Sequence, residues 1–411
     1  MTAMRHASEV RVTNVVPTLL CGGTETQFMT LGRSLDTSRF ALDFACLRRL
    51  GPFVAELEAR GVPLREYALP TFFSFTALAQ QARFARHLAR RRTHIVHTYN
   101  FYGNVFGVPP ARVAGVPLVI ASVRDRGPYL TPSQKRVQRH VCRLAHCVLV
   151  NAGAVKDWLV DQGYDEKRIA VIPNGIDLGR FSSPPPRDEA LAGLDIPPDS
   201  PVVAVVSRLS RLKGLEQFLE AAAIVAARHP AVRFLVVGET NPSELEYLTE
   251  LGARASRLGV NHRVRFTGLR ADVPALLAHA SVSVMPSLNE ALSNVLLESM
   301  AAGAPTVATR VGGTPEALDD EVTGLLVPPG DPRALAGAIG RLLDDPSLAA
   351  RLGRAARQAV HERFSLDRMV RATEQLYLDL LAERLERPER DIWRSRAPIP
   401  PIGQASDLES R

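Results

Sequence analysis

Glu290 and Glu298 stand with seven residues between them in Ser287-Leu288-Asn289-Glu290-Ala291-Leu292-Ser293-Asn294-Val295-Leu296-Leu297-Glu298. An ionised carboxylate only accepts hydrogen bonds, and its two oxygens suit a pair of vicinal hydroxyls. One member of such a pair can hold a hexose and the other a ribose. The run Val282–Met285 reads as a strand, and the pattern from about Ala291 as the helix after it. That places the carboxylates roughly 10–12 Å apart, the reach of a sugar nucleotide folded over its pyrophosphate. The helix start at Ala291, Leu292, Ser293 and Asn294 would offer free N–H groups and a positive dipole end to phosphate. By spacing alone, two surface glutamates on an amphipathic helix is the plainer reading.

Two further segments add to the pair. Strand-like Val202–Val206 runs into Ser207-Arg208-Leu209-Ser210-Arg211-Leu212-Lys213-Gly214. Arg208 at a strand end and Lys213 at a helix start would set fixed positive charge where a diphosphate leaves. A solvated basic loop has the same composition. Gly22 and Gly23 follow the first strand, where the backbone can approach a ligand and the next helix can receive an anion. A tight turn with no ligand is the alternative. No G-x-G-x-x-G stands there, so a nicotinamide cofactor is not expected. His97 ends an apolar run, and read alone it is more often a hydrogen-bonded structural residue.

Something must position these groups, and the chain supplies it by alternation. Short β-branched runs alternate with amphipathic or Ala-rich segments through both halves, which implies an α/β architecture of mainly parallel sheets with helices on both faces. Ser182-Ser183-Pro184-Pro185-Pro186 and Pro197-Pro198 interrupt the pattern and read as a linker. Two doubly wound units of similar size are therefore expected, with ligands at the carboxyl ends of their strands. We expect a first domain over 1–178, a linker over 179–200 and a second domain over 201–365. A terminal helix over 366–386 should return to the first domain, and a polar tail over 387–411 should be disordered.

Composition narrows the class. Of 411 residues, 46% are hydrophobic and 23% charged, ordinary values for a soluble globular chain. No apolar run reaches the ~18–20 residues that cross a bilayer. The first residues do not read as a secretion signal. Cysteines at 21, 46, 142 and 147 form no CxxC pair, against a disulfide framework or zinc site and for a cytoplasmic setting. Residues 1–190 hold 25 Lys and Arg against 15 Asp and Glu, the remainder 25 against 28. Only the first half should meet something anionic. Arg83, Arg86, Arg90, Arg91 and Arg92 fall on one helical segment, and Lys135, Arg136, Arg139 and Arg143 on another. Both suit an anionic membrane surface or a solvated basic face. The basic segments lack interleaved Tyr or Trp, so nucleic acid is not expected.

Together and in order, these segments resemble the retaining GT-B glycosyltransferases of family four over roughly residues 10–385. Further matching segments are Val171-Ile172-Pro173-Asn174-Gly175-Ile176-Asp177, Val264-Arg265-Phe266-Thr267-Gly268 and Met300-Ala301-Ala302-Gly303-Ala304-Pro305-Thr306-Val307-Ala308. Gly312-Gly313-Thr314-Pro315-Glu316 and Gly324-Leu325-Leu326-Val327-Pro328-Pro329-Gly330-Asp331 complete them. The resemblance implies two Rossmann-like domains facing each other across a cleft. It implies that Glu290 contacts the transferred sugar, Glu298 the ribose, and Arg208 with Lys213 the diphosphate. The Gly22-Gly23 backbone would close over that diphosphate, and His97 would touch the donor sugar. It also implies front-face substitution with retention and no nucleophilic carboxylate.

No DxD motif is set to seat a divalent ion, so neither metal nor cofactor is expected. The expected donor is a nucleotide diphosphate sugar, UDP favoured and GDP possible in principle. A hexosyl or N-acetylhexosaminyl group would pass to a glycolipid, polyprenyl-linked saccharide or polysaccharide precursor, at the inner face of the cytoplasmic membrane. Ala291 stands where relatives often carry Gly, and Tyr99 where many carry a second histidine. Rival readings are a sugar-nucleotide epimerase on the same scaffold and a non-catalytic nucleotide-sugar or nucleic-acid binder. Donor turnover without acceptor would mark the first, and salt-sensitive DNA binding the second.

Overall fold

Unbroken aliphatic runs such as Val202-Val203-Ala204-Val205-Val206 bury both faces of a strand, as parallel sheets covered by helices require. The computed structural model describes residues 9–20, 22–69, 74–240 and 245–386. It divides into one unit of Met1–Gly175 with Asp367–Arg411 and another of Ile176–Leu366.

In the first unit the strands are β1 (Val10–Val16), β2 (Phe40–Cys46), β3 (Leu64–Glu66), β4 (Ile95–Tyr99), β5 (Leu118–Ser122), β6 (Cys147–Val150) and β7 (Ile169–Val171). All pair in parallel in the order β3-β2-β1-β4-β5-β6-β7. The connecting helices are α1 (Gly23–Ser34), α2 (Phe53–Ala59), α3 (Phe75–Arg91), α4 (Asn100–Val113), α5 (Pro132–Leu144) and α6 (Gly153–Asp161). Ser74 caps α3 through Ala77, and Thr131 with Gln134 forms a capping box on α5. An aromatic set of Phe28, Phe44 and Tyr99, in edge contacts at 5.2 and 5.3 Å, fills the space beside β1 and β2.

The second unit holds α7 (Arg187–Ala190), β8 (Val202–Val206), α8 (Leu215–Arg228), β9 (Arg233–Val237), α9 (Leu245–Arg257), β10 (Val264–Gly268), α10 (Val273–Ala278) and β11 (Val282–Met285). It continues through α11 (Asn294–Ala301), β12 (Thr306–Thr309), α12 (Thr314–Ala317), β13 (Leu325–Val327), α13 (Pro332–Asp344) and α14 (Pro346–Arg363). Its parallel sheet runs β10-β9-β8-β11-β12-β13, so the strand order reverses between β8 and β11. Ligands of doubly wound sheets bind outside the carboxyl ends at that switch point.

Residues 179–200, expected as a linker, are folded into this second unit. Leu191 and Leu194 are buried with Val202, Leu235 and Leu276, and the Arg187 guanidinium donates to the carbonyls of Pro198, Ser200 and His279. The prolines suppress regular structure there, but the leucines between them still have apolar area to bury. The last helix, α15 (Leu366–Glu386), joins the first unit from Asp367 onward. Tyr377 is fully buried there, and Glu374 accepts from the Asp36 amide at 2.9 Å. The tail expected over 387–411 and Cys21 lie outside the described residues.

Candidate active site at the switch point of the second unit

Three loops meet at the carboxyl ends of β8, β11 and β12. The Leu288 amide donates to the Leu212 carbonyl at 2.8 Å, joining the first loop to the second. Gly214 lies at φ +65, and a Cβ there would sit 1.9 Å from the Pro286 oxygen. Only glycine lets the two loops approach so closely. Gly312 is similar: φ is +49, and a Cβ would lie 1.9 Å from the Glu290 carbonyl. The Gly313 amide donates to Ala291 O at 2.6 Å, and Thr309 Oγ1 to Ser287 O at 2.5 Å. The backbone of residues 287–291 is thus held from both sides.

That backbone sets a polar cluster. Lys213 Nζ donates to Glu290 Oε1 at 2.5 Å, and Ser287 Oγ donates to the same oxygen at 2.8 Å. The two charged side chains are 20% and 11% exposed, so the pair is mostly desolvated yet still reachable. Glu298 lies on α11, its side chain 15% exposed, with Arg180 Nη1 at 3.6 Å from Oε1. Burial raises the Glu298 pKa above the usual carboxylate range, and the Arg180 charge opposes that rise. Arg208, just past β8, is exposed and makes no ion pair with a described residue. It is an exposed cation at the mouth of the sheet.

The helix begins later than the sequence pattern suggests. Ser293 caps α11 by accepting from the Leu296 amide at 3.3 Å, so the first helical residue is Asn294 rather than Ala291. Ala291 and Leu292 are buried loop residues, and Glu298 is five residues into the helix instead of two turns. Ala291 is not among the positive-φ residues, so alanine carries no backbone penalty there.

The remaining candidates lie in the first unit. Gly22 precedes α1 in an extended conformation and Gly23 opens the helix. A Cβ on Gly22 would meet Glu25 Oε2 at 2.3 Å. His97 is an interior residue, 1% exposed. Its Nδ1 is 2.6 Å from the Tyr377 hydroxyl and its Nε2 is 2.7 Å from Ser122 Oγ. Tyr99 stacks on the ring at 4.3 Å, its hydroxyl 3.2 Å from Nδ1. Burial first, and Arg124 second, push the His97 pKa down to about 3, so the ring is neutral. With both nitrogens engaged, contact with a sugar hydroxyl requires Ser122 to let go of Nε2, or both Tyr377 and Tyr99 of Nδ1.

Two partners escaped the sequence reading. Arg180 was hidden because a basic residue in a Pro-rich stretch carries no signal of a carboxylate 118 residues later. Ser287 sits inside the motif, but its bond to Glu290 depends on a turn that spacing does not reveal.

Residues 21–180 match the model of the family described as Glycosyltransferase Family 4, and residues 200–345 that of Glycosyl transferases group 1. A D-inositol 3-phosphate glycosyltransferase of Salinispora tropica is 34% identical over 76% of this chain and 69% of its own length. The protein belongs to family four of the group 1 glycosyltransferases. A second relative of that name, from Saccharomonospora viridis, is 37% identical over 60% of the chain and 58% of its own length. The match thus spans 58% to 69% of the length of these two relatives. Anabaena HepE in complex with UDP superposes with a TM-score of 0.80 at 23% identity, covering 90% of this chain and all of that one. Sucrose-phosphate synthase from Thermosynechococcus elongatus gives 0.78 at 24%, over 90% and 99%. These likenesses show the GT-B fold of this glycosyltransferase.

Proposed function

We propose that this glycosyltransferase moves a hexosyl or N-acetylhexosaminyl group from a UDP-sugar to a phosphate-bearing acceptor with retention of configuration and without a metal. The observation that carries the reading is the Lys213–Glu290–Ser287 cluster at the switch point of the second sheet, with Glu298 on the helix that follows. Glu298 accepts the ribose hydroxyls, displacing Arg180. Glu290 accepts hydroxyls of the transferred sugar. Arg208 and Lys213 neutralise the diphosphate as the bond from the anomeric carbon to its oxygen breaks. The new bond forms to the acceptor oxygen, whose proton passes to the departing phosphate. Glu290 is a poor nucleophile because Lys213 and Ser287 already hold its carboxylate, and this favours front-face substitution over a covalent intermediate. Gly22 and Gly23 would approach the diphosphate, and His97 would orient the sugar after releasing one nitrogen.

HepE, whose complexes hold UDP and UDP-glucose, supports UDP as the donor nucleotide. The relatives' names point to an inositol phosphate, and the basic first half also suits a polyprenyl-linked saccharide. Their shared chemistry is a hydroxyl on a molecule that carries phosphate. Thermal melting against UDP-, GDP- and ADP-sugars should show one stabilising donor. That donor, incubated with inositol phosphate or with a polyprenyl-diphosphate saccharide, should yield a product whose anomeric coupling matches the donor, with EDTA present or absent. No stabilisation by any nucleotide sugar would sink the proposal, and an inverted product or a loss with EDTA would sink its mechanism.

A further inference from the structure

In the first unit α3 and α5 both pack against α4, on one side of the sheet. Their inward residues are Ala77, Phe84 and Leu88 on α3, and Gln138 and Cys142 on α5. Helix α4 is largely buried, so α3 and α5 supply the outward surface. On α3 that surface carries Phe75 at 92% and Leu78 at 63% exposure, followed by Arg86 and Arg90. On α5 it carries Val137 and Leu144, at 43% and 47%, beside Arg136 and Arg143.

Neither helix contains an acidic residue. The four arginines make no ion pair with any described residue. Some exposed arginines of the second unit do have carboxylate partners: Arg211 has Glu250 and Arg341 has Glu321. The other basic groups of these two helices are occupied locally. Arg91 donates to Ala41 O, Arg139 to Gln162 O, and Lys135 lies over Trp158. What remains is uncompensated positive charge interleaved with large apolar side chains left in water. A merely solvated basic face explains the arginines but not an almost fully exposed phenylalanine.

We propose that the α3–α5 face docks on an anionic lipid bilayer. The arginines meet headgroup phosphates, while Phe75, Leu78, Val137 and Leu144 enter the boundary with the acyl chains. Among the described residues no helix is long and apolar enough to cross a membrane. A nucleic acid would match the charge, yet of the four exposed apolar side chains only Phe75 offers a base a ring to stack on. The inference is independent of the donor chemistry above, and its residues lie outside the candidate active site.

The test is flotation of the full chain with vesicles of phosphatidylcholine alone or mixed with phosphatidylglycerol. The chain should float with the anionic vesicles at about 0.1 M salt and be released at about 0.5 M. The combined change Arg86→Gln, Arg90→Gln, Arg136→Gln, Arg143→Gln should lower partitioning about 10²- to 10³-fold. Phe75→Ser with Leu78→Ser keeps the charge and should lower it about 10-fold. Unchanged melting temperatures verify folding, and if the fourfold variant fails to fold, Arg86→Gln with Arg90→Gln alone should lower partitioning about 10-fold or more. No flotation of the native chain, or equal flotation with both vesicle types, overturns the proposal. So does full flotation of the Phe75/Leu78 variant when a single-stranded oligonucleotide competes the protein off, which would move the face to nucleic acid.

Discussion

Replacing Glu298 by Gln separates donor recognition from stability. The carboxylate is 15% exposed, with Arg180 its neighbour at 3.6 Å and a pKa raised by burial. Hydrogen bonds to an ionised group contribute about 1.5–3 kcal/mol each, and neutral ones about 1 kcal/mol. Two ribose hydroxyls on the carboxylate, exchanged for one on the neutral amide oxygen, should cost at least about 2 kcal/mol, a ~30-fold weaker Kd. The same substitution removes a charge that burial penalises, so the unliganded fold should not lose stability. Titration calorimetry with the UDP-sugar at several pH values, alongside thermal melting, reads both. Because the folded pKa of Glu298 lies above the ordinary 4.5, the native chain should lose donor affinity as pH falls through that raised value. Glu298→Gln should show no such loss. Equal affinity in the two proteins, or weakened binding that merely tracks a lower melting temperature, would refute the ribose-binding role.

Lys213→Met should lower kcat about 10²- to 10³-fold, with Lys213→Arg restoring part, because the cation acts on developing phosphate charge; steady-state kinetics decide this, and an unchanged kcat would exclude Lys213. Gly312→Ala forces a side chain at φ +49 into the Glu290 carbonyl, so chemical denaturation should show a loss of about 2–4 kcal/mol and calorimetry a loss of donor binding. His97 and His146 are buried neutral, each with its pKa pushed down to about 3 from 6.5. The unfolded chain takes up their protons first as pH falls below 6.5, so their contribution, intact above 6.5, shrinks with acid. Each should lose about 2 kcal/mol between pH 7 and 5 in urea melts, and a pH-independent stability would contradict the burial.

The fold was legible because parallel strands buried on both faces leave continuous Val, Ile and Ala runs, and these survive in sequence without their partners. The linker was not legible as folded structure. Pro184-Pro185-Pro186 masks the burial of Leu191 and Leu194, which depends on distant β8, β9 and α10. At the second-unit site the sequence offered carboxylates suited to hydroxyls and cations suited to phosphate, and only the family resemblance implied roles for them. Their coupling was not legible, since the Lys213–Glu290 bond crosses 77 positions and depends on two glycines that let loops touch. The helix start was misplaced by three residues because Ser293, not the apolar periodicity, decides where α11 begins. For His97 the sequence shows a residue type after an apolar run, while its enclosure in the middle of β4 comes in part from Tyr377, 280 positions away.

That return of α15 to the first unit has a consequence for synthesis. The ribosome delivers β1–β7 before the residues that bury beside them, Tyr377 and Leu380, which follow β7 only after the whole second unit. At about 5–20 residues per second the emerging sheet waits roughly 10–40 s for its final helix. Meanwhile the apolar slot that Tyr377 fills stays open to other chains. A stalled or C-terminally clipped product should therefore expose that slot permanently, so chaperones have most to do on the half of the protein made first.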